Sequence, residues 1–250
     1  MTHAVYPSLA GKTVVVTGGG SGIGESMVES FARQKARVFF LDVAESESKA
    51  LTARLNGTTE YIKCDLTNLE ALRAAIAGIE SKAGPINVLV NNAANDDRHR
   101  FEDVTPAYWD QRIAVNLRHL YFAAQAVAPG MRRAGGGSII NLGSVSWHMS
   151  LPDLSIYETA KAGIEGMSRA LARDLGEANI RVNCVVPGAI RTPRQMKLWH
   201  TPEEEVKILA QQCIKTRVDP VHVTAMVLFL ASDDAAMCTA HSYWVDAGYR

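Results

Sequence analysis

A strand-like run that empties into glycine constrains this chain more than any other feature. Lys12 to Thr17 reads KTVVVT, a nearly unbroken apolar run of the kind that forms a strand buried on both faces of a parallel sheet. It passes into Gly18-Gly19-Gly20-Ser21-Gly22-Ile23-Gly24, and a helical pattern follows to about Arg33. Glycines placed there let the backbone turn tightly and approach a bound pyrophosphate, whose charge meets the free N–H groups of the helix start. Gly18, Ser21, Gly22, Ile23 and Gly24 are therefore candidate cofactor contacts. The spacing Gly18-x-x-x-Gly22-x-Gly24 is looser than Gly-x-Gly-x-x-Gly, and a plain strand-to-helix turn is the alternative, which the density of glycine argues against.

Beyond the turn, short β-rich runs alternate with longer helical patterns, as expected for repeated βαβ units around a parallel sheet. Strands are expected at Arg37 to Asp42, around Tyr61 to Cys64, and at Ile86 to Asn91, Ser138 to Leu142, Arg181 to Val186 and Tyr243 to Asp246. Thr67-Asn68-Leu69-Glu70 resembles a capping box opening a helix to about Lys82. Thr105-Pro106 supplies an N-cap and an N1 proline for one long helix, roughly Ala107 to Arg132. Tyr157 lies near the start of a helix reaching Ala178. Thr201-Pro202 and Asp219-Pro220 open two more. No linker or repeat interrupts the pattern, so a single domain over residues 1–250 is expected.

Composition narrows the partners. With 250 residues, 47% hydrophobic and 21% charged, the chain can bury one large core. Its 26 basic and 26 acidic residues cancel without like-charged blocks, which points away from nucleic acid and anionic membranes and toward a small polar or neutral ligand. No leader-like or membrane-spanning run is evident, so a cytoplasmic location is expected. Cys64, Cys184, Cys213 and Cys238 lack metal-ligand spacing, so reduced thiols and no metal site are expected.

Two local features carry chemistry. Asp42 ends the second strand, where an acidic side chain would accept hydrogen bonds from the adenosine ribose hydroxyls or serve as a strand-end cap. A 2′-phosphate about 4 Å from that carboxylate would cost roughly 4 kcal/mol at an effective dielectric of about 20, and no Arg or Lys stands in the turn to offset it. NAD is therefore expected over NADP. Tyr157 and Lys161 are one helical turn apart and share a face. A tyrosine titrates near about 10, and a fixed cation beside it favours the phenolate, which makes the pair a candidate general base.

Taken together, Thr17 to Gly24, Asn91-Asn92-Ala93-Ala94, Asn116, Ser144, Tyr157-x-x-x-Lys161 and Pro187-Gly188 resemble the ordered motifs of the short-chain dehydrogenase/reductase family, from about Lys12 to the C-terminus. Ala94, Ala240 and Ala247 stand where the family commonly has glycine. The resemblance implies an α/β fold, a Rossmann-type doubly wound parallel sheet of about seven strands with helices on both faces. It implies a catalytic set of Asn116, Ser144, Tyr157 and Lys161: Ser144 holds the substrate oxygen, Asn116 perturbs its helix and holds a water leading to Lys161, and Lys161 holds the nicotinamide ribose. For NAD it adds Asn92, Asp65 and Leu66 toward the adenine, and Pro187, Gly188, Ile190 and Thr192 toward the carboxamide. A homotetramer is implied as well.

Substrate identity falls to the loops. Asn95-Asp96-Asp97-Arg98-His99 and Ser146-Trp147-His148 crowd hydrogen-bonding groups and an indole into stretches that should open on the substrate side, a combination suited to a polyhydroxylated ligand. A solvated surface loop is the alternative for residues 96–98. With the C-terminal YWVDAGYR, these stretches resemble bacterial NAD-dependent aldose 1-dehydrogenases acting on pentoses such as D-xylose and L-arabinose. That resemblance implies oxidation at C1 of a cyclic sugar to an aldonolactone, with Asn95, Asp96, Ser144, Ser146, His148, Tyr157 and Trp199 as substrate contacts. Residues 191–212 are expected to form a lid that brings Trp199 over the sugar, a purely structural Trp being equally consistent. A carbonyl or hydroxysteroid-type reductase and a non-enzymatic dinucleotide sensor are the other function classes.

Overall fold

The structure, a computed structural model, describes residues 4–249; residues 1–3 and Arg250, which the single-domain expectation also spans, lie outside the described residues. In chain order, Thr13–Thr17 (β1) leads into Gly22–Arg33 (α1), followed by Arg37–Asp42 (β2), Glu45–Arg54 (α2), Thr59–Lys63 (β3) and Leu69–Ala83 (α3). The second half of the sheet is built from Val88–Asn91 (β4), Pro106–Ile113 (α4), His119–Arg133 (α5), Gly137–Leu142 (β5), Ser146–Met149 (α6), Ser155–Leu175 (α7) and Ile180–Pro187 (β6). Pro193–Leu198 (α8), Pro202–Gln211 (α9), Pro220–Ala231 (α10) and Ser242–Val245 (β7) complete the chain.

The seven strands form one parallel sheet in the order β3-β2-β1-β4-β5-β6-β7. Every residue of β1 is buried, as its unbroken apolar run requires. One apolar layer joins β1 to α1 and α10 through Val14, Val16, Phe31, Val227 and Leu228. The opposite layer, with Val15, Leu72, Ile76, Val127 and Ile139, packs α3 and α5 against the other face. The strand order reverses between β1 and β4, so the loops after them diverge at the carboxyl edge and open a crevice.

Several expected elements shift. Asn68, not Thr67, caps α3, its side chain accepting from the N–H groups of Glu70 and Ala71. Thr67 instead donates its hydroxyl to Asp65 Oδ1 at 2.7 Å. The long helix expected from Ala107 to Arg132 is broken into α4 and α5 by a π turn over Ala114–Arg118, with Asn116 at its centre. α7 ends at Leu175 and a 3₁₀ turn, Gly176–Ala178, carries the chain on. Thr105, Thr201 and Asp219 cap their helices as expected.

Candidate active site

At the carboxyl edge a continuous cleft of about 1450 Å³ runs from the glycine turn to α8 and α9. Gly18 and Gly22 hold φ of +66° and +59°, which glycine adopts without strain. A Cβ on Gly24 would lie 1.9 Å from the Gly18 carbonyl oxygen, and one on Gly18 2.7 Å from Ala93 Cα. Asn92 locks the turn, its Nδ2 donating to the carbonyls of Thr17 and Gly18 at 3.0 and 2.9 Å. Thr17 Oγ1 in turn accepts from the N–H groups of Asn92 and Ala93.

Asp42 lines the same end of the cleft. Its Oδ2 accepts from Gly20 N at 2.8 Å and its Oδ1 from Ala44 N at 2.9 Å, so the strand-end carboxylate also braces the glycine turn. Ionised carboxylate oxygens each accept more than one hydrogen bond, which leaves capacity for a ligand. Asp65 and buried Leu66 lie nearby, and Pro187, Gly188, Ile190 and Thr192 line the opposite wall. A Cβ on Gly22 would come within 3.4 Å of Thr192 Cγ2, so turn and wall face each other closely.

The reactive end forms where β5 and α7 meet. Asn91 Nδ2 donates to Asn141 Oδ1 at 2.9 Å, and Asn141 Nδ2 to Ser168 Oγ at 2.9 Å, a buried polar chain that ties β4 and β5 to α7. On α7, Lys161 is 3% exposed and donates to the Leu142 carbonyl at 2.8 Å. Its Nζ stands 5.4 Å from the centre of the Tyr157 ring. Burial lowers the Lys161 ammonium to about 8, with Cys184 and Asp96 acting the other way. Burial pushes the Tyr157 phenol up, Asp96 adds to the rise, and the hydrogen bond with Ser144 draws it back down. In the protein alone, then, desolvation outweighs the hydrogen bond with Ser144, and the phenol is held protonated.

Asn116 is fully buried in the π turn, its Oδ1 accepting from Asn95 N at 2.8 Å. Its Nδ2 has no protein partner among the described residues, a buried donor of the kind that usually signals a further ligand or water. Ser144 Oγ accepts from Ser146 N at 3.1 Å. Ser144, Asn95, Asp96, buried Ser146 and Trp199 all line the cleft.

His148 does not. The short helix α6 turns it onto Trp147 and Trp244, with ring centres 3.6 and 4.3 Å away, and its Nε2 shares a hydrogen bond of 3.0 Å with Glu165. Residues 191–212, expected to form a lid, fold as two helices, and Ile208 of α9 is buried in an apolar cluster with Tyr249. Residues not foreseen also converge on this end. Arg112, 5% exposed, and Arg194 and Gln195 of α8 line the cleft beside Asp96. Their partners lie 15 to 99 positions away in sequence, so no local spacing could have revealed them.

A family model described as enoyl-(acyl carrier protein) reductase matches residues 18–250. D-xylose 1-dehydrogenase of Caulobacter vibrioides (strain NA1000 / CB15N) is 61% identical over 253 aligned residues, covering 100% of both chains. A Rhizobium meliloti (strain 1021) protein named probable galactose dehydrogenase GalD is 47% identical over 97% of this chain and 96% of its own. Among solved structures, a candidate short-chain alcohol dehydrogenase from Sinorhizobium meliloti 1021 superposes with a TM-score of 0.91 at 29% identity, covering 97% of this chain and 98% of its own. With a family match across nearly the whole length, the seven-stranded parallel sheet and the glycine turn at its reversal point, the chain belongs to the short-chain dehydrogenase/reductase family.

Proposed function

We infer that this protein oxidises the C1 hydroxyl of a cyclic aldose, a pentose such as D-xylose or L-arabinose, to the aldonolactone, with NAD as hydride acceptor. The carrying observation is that Ser144, Tyr157 and Lys161 meet in one cleft with the glycine turn, in a chain 61% identical to a D-xylose 1-dehydrogenase. Polar groups at the substrate end, Asn95, Asp96, Ser146 and Gln195, set among Leu151, Leu198 and Trp199, support a polyol over a steroid.

The cradle fits a dinucleotide, since Gly18 and Gly24 pack so closely against Ala93 and the Gly18 carbonyl that no side chain fits there, and the tight turn this allows brings backbone to the edge of the cleft. Gly18, Ser21, Gly22, Ile23 and Gly24 would hold the pyrophosphate, Asp42 the adenosine ribose, and Asp65, Leu66 and Asn92 the adenine side. Pro187, Gly188, Ile190 and Thr192 would hold the nicotinamide side. Asp42, with no compensating Arg or Lys in the turn, supports NAD over NADP. When bound, NAD supplies the acceptor for the hydride that leaves C1 as the C1–O bond becomes double, and a positively charged ring.

The protein's own residues do the rest. Tyr157 Oη takes the proton of the C1 hydroxyl, and the Ser144 hydroxyl orients that oxygen and stabilises its developing charge. Lys161, anchored on Leu142, keeps a cation beside the phenol and positions the ribose. Asn116 offers its free Nδ2 to a water on the proton's way out. Residues 191–212 close the substrate end, with Trp199 as an aromatic wall. The protein is a cytoplasmic homotetramer in this reading, and the exposed Phe101, Trp109 and Tyr121 around α4 and α5 supply apolar surface for subunit contact. Product analysis tests the position of attack: each NADH formed should match one lactone or its aldonic acid, and a keto-aldose, oxidised at a carbon other than C1, would sink the C1 assignment.

A further inference from the structure

Three successive side chains after β4 grip the α8 helix. Asp96 accepts from Arg194 Nε through Oδ1 at 3.2 Å and from Gln195 Nε2 through Oδ2 at 2.5 Å. Asp97 Oδ1 accepts from the same Arg194 guanidinium at 2.6 Å. Arg98 lays its guanidinium 4.4 Å above the ring of Trp199. The loop is itself held from below. Asp97 Oδ2 accepts from Arg112 at 3.2 Å, and that guanidinium on α4 is nearly buried. Asn95 Oδ1 accepts from Asp97 N, while Asn95 N donates to Asn116 in the π turn. A continuous polar path therefore runs from the π turn through the loop to α8.

We propose that Arg194 is a positioning residue for the reaction, the centre of a clasp in which Asp96, Asp97 and Arg98 hold α8 and Trp199 in register over the substrate end of the cleft. An isolated exposed ion pair stabilises little. This one differs in construction: a single planar fork bridges two adjacent carboxylates, and one of them is shared with a buried second guanidinium. Without Arg194, Asp96 and Asp97 would stand side by side with only Arg112 and Gln195 to meet them, and α8 would lose its tie to the loop. A lysine could reach only one of the two carboxylates well, because its ammonium lacks the fork. The clasp also explains why residues 96–98 are neither a free surface loop nor simply a set of sugar contacts. Its role in turnover rests on the aldose dehydrogenase reading, but its geometry does not.

The test uses the full-length protein with Arg194→Ala, Arg194→Lys, Asp97→Asn and the Arg194→Ala/Asp97→Asn double variant. Hydrogen exchange without ligand should quicken about tenfold in α8 and α9 of Arg194→Ala, a change of about 1.4 kcal/mol, with β1 and α5 unchanged. Arg194→Lys should fall between. The KM for the preferred aldose should rise about tenfold with a smaller change in kcat, and the double variant should lose less than the sum of the single losses, as for residues sharing one network. Added salt should raise the wild-type KM more than that of Arg194→Ala. Unchanged exchange in α8 and α9 of both Arg194→Ala and Asp97→Asn would overturn the clasp. Faster exchange with no sugar turned over by the wild type would support the clasp while refuting the activity.

Discussion

Tyr157, the proposed base, stands in surroundings that oppose that role, since burial and Asp96 both favour the protonated phenol. In the proposed mechanism the phenolate would be drawn out by the Ser144 hydrogen bond, Lys161 and the charge of a bound cofactor. Tyr157→Phe should lower kcat by roughly 10²–10⁴-fold while NADH binding, read by fluorescence titration, stays near wild type; near-normal turnover would remove Tyr157 from the chemistry. His119 carries a different, structural consequence. Fully buried, with Nε2 3.2 Å from the Ala93 carbonyl, its pKa is lowered from 6.5 to about 4 by desolvation. The unfolded chain therefore binds the proton more readily, and stability should fall as pH drops from about 6.5 toward 4. Between pH 7 and pH 5 the loss from this group is about 2 kcal/mol, and denaturant titrations should show a smaller acid loss in His119→Gln. Of these residues, Tyr157, Lys161 and Asp42 were legible as candidates because each sits at a fixed offset within its own strand or helix, whereas Ser144, in the loop after β5, came only from the family resemblance. His119, Arg112 and Arg194 were not, since their meaning comes from partners brought close only by the fold. His148 was misread because adjacency to Ser144 in sequence does not survive the single turn of α6.

At the scale of elements, alternating strand and helix patterns carried the parallel sheet, and every expected strand is found within about two residues. The disturbance at Asn116 that the resemblance implied takes the form of a π turn, which the apolar pattern alone does not show because one extra residue hardly disturbs it; the turn places buried Asn116 against the loop after β4. Ala240 and Ala247, marked in the sequence as standing where glycine is usual, do take left-handed φ of 63° and 56°. The region 191–212 is a capped helix pair because Thr192-Pro193 and Thr201-Pro202 each open a helix, with Thr192 Oγ1 accepting from Gln195 N and Thr201 Oγ1 from Glu204 N. Trp199 sits at the joint between them and lines the cleft. Trp199→Ala should raise the sugar KM by about tenfold or more with the cofactor KM unchanged, the size of a lost apolar wall. An unchanged sugar KM would leave Trp199 a structural residue.

Across the whole molecule, the reversal of strand order between β1 and β4 opens one cleft from the glycine turn to α8 and α9, and the proposed function places the cofactor at the first end and the sugar at the second. In that reading, discrimination between cofactors rests on the β2 end, far from the chemistry. Asp42→Ala should narrow the NAD over NADP ratio of kcat/KM by at least about tenfold, well within the roughly 4 kcal/mol of charge repulsion. It should also weaken NAD binding, because Gly20 and Ala44 lose their acceptor; equal use of NADP by the unmodified protein would refute the role of Asp42. Substrate choice rests at the other end, on hydroxyl geometry that composition does not encode. The central claim is therefore tested most directly by initial rates of NADH formation from D-xylose, L-arabinose, D-galactose and D-glucose, run beside cyclopentanol and a hydroxysteroid. The account predicts that an aldose, a pentose foremost, gives the highest kcat/KM; faster oxidation of the steroid or cyclopentanol than of every sugar, or no NADH from any of them, would contradict it.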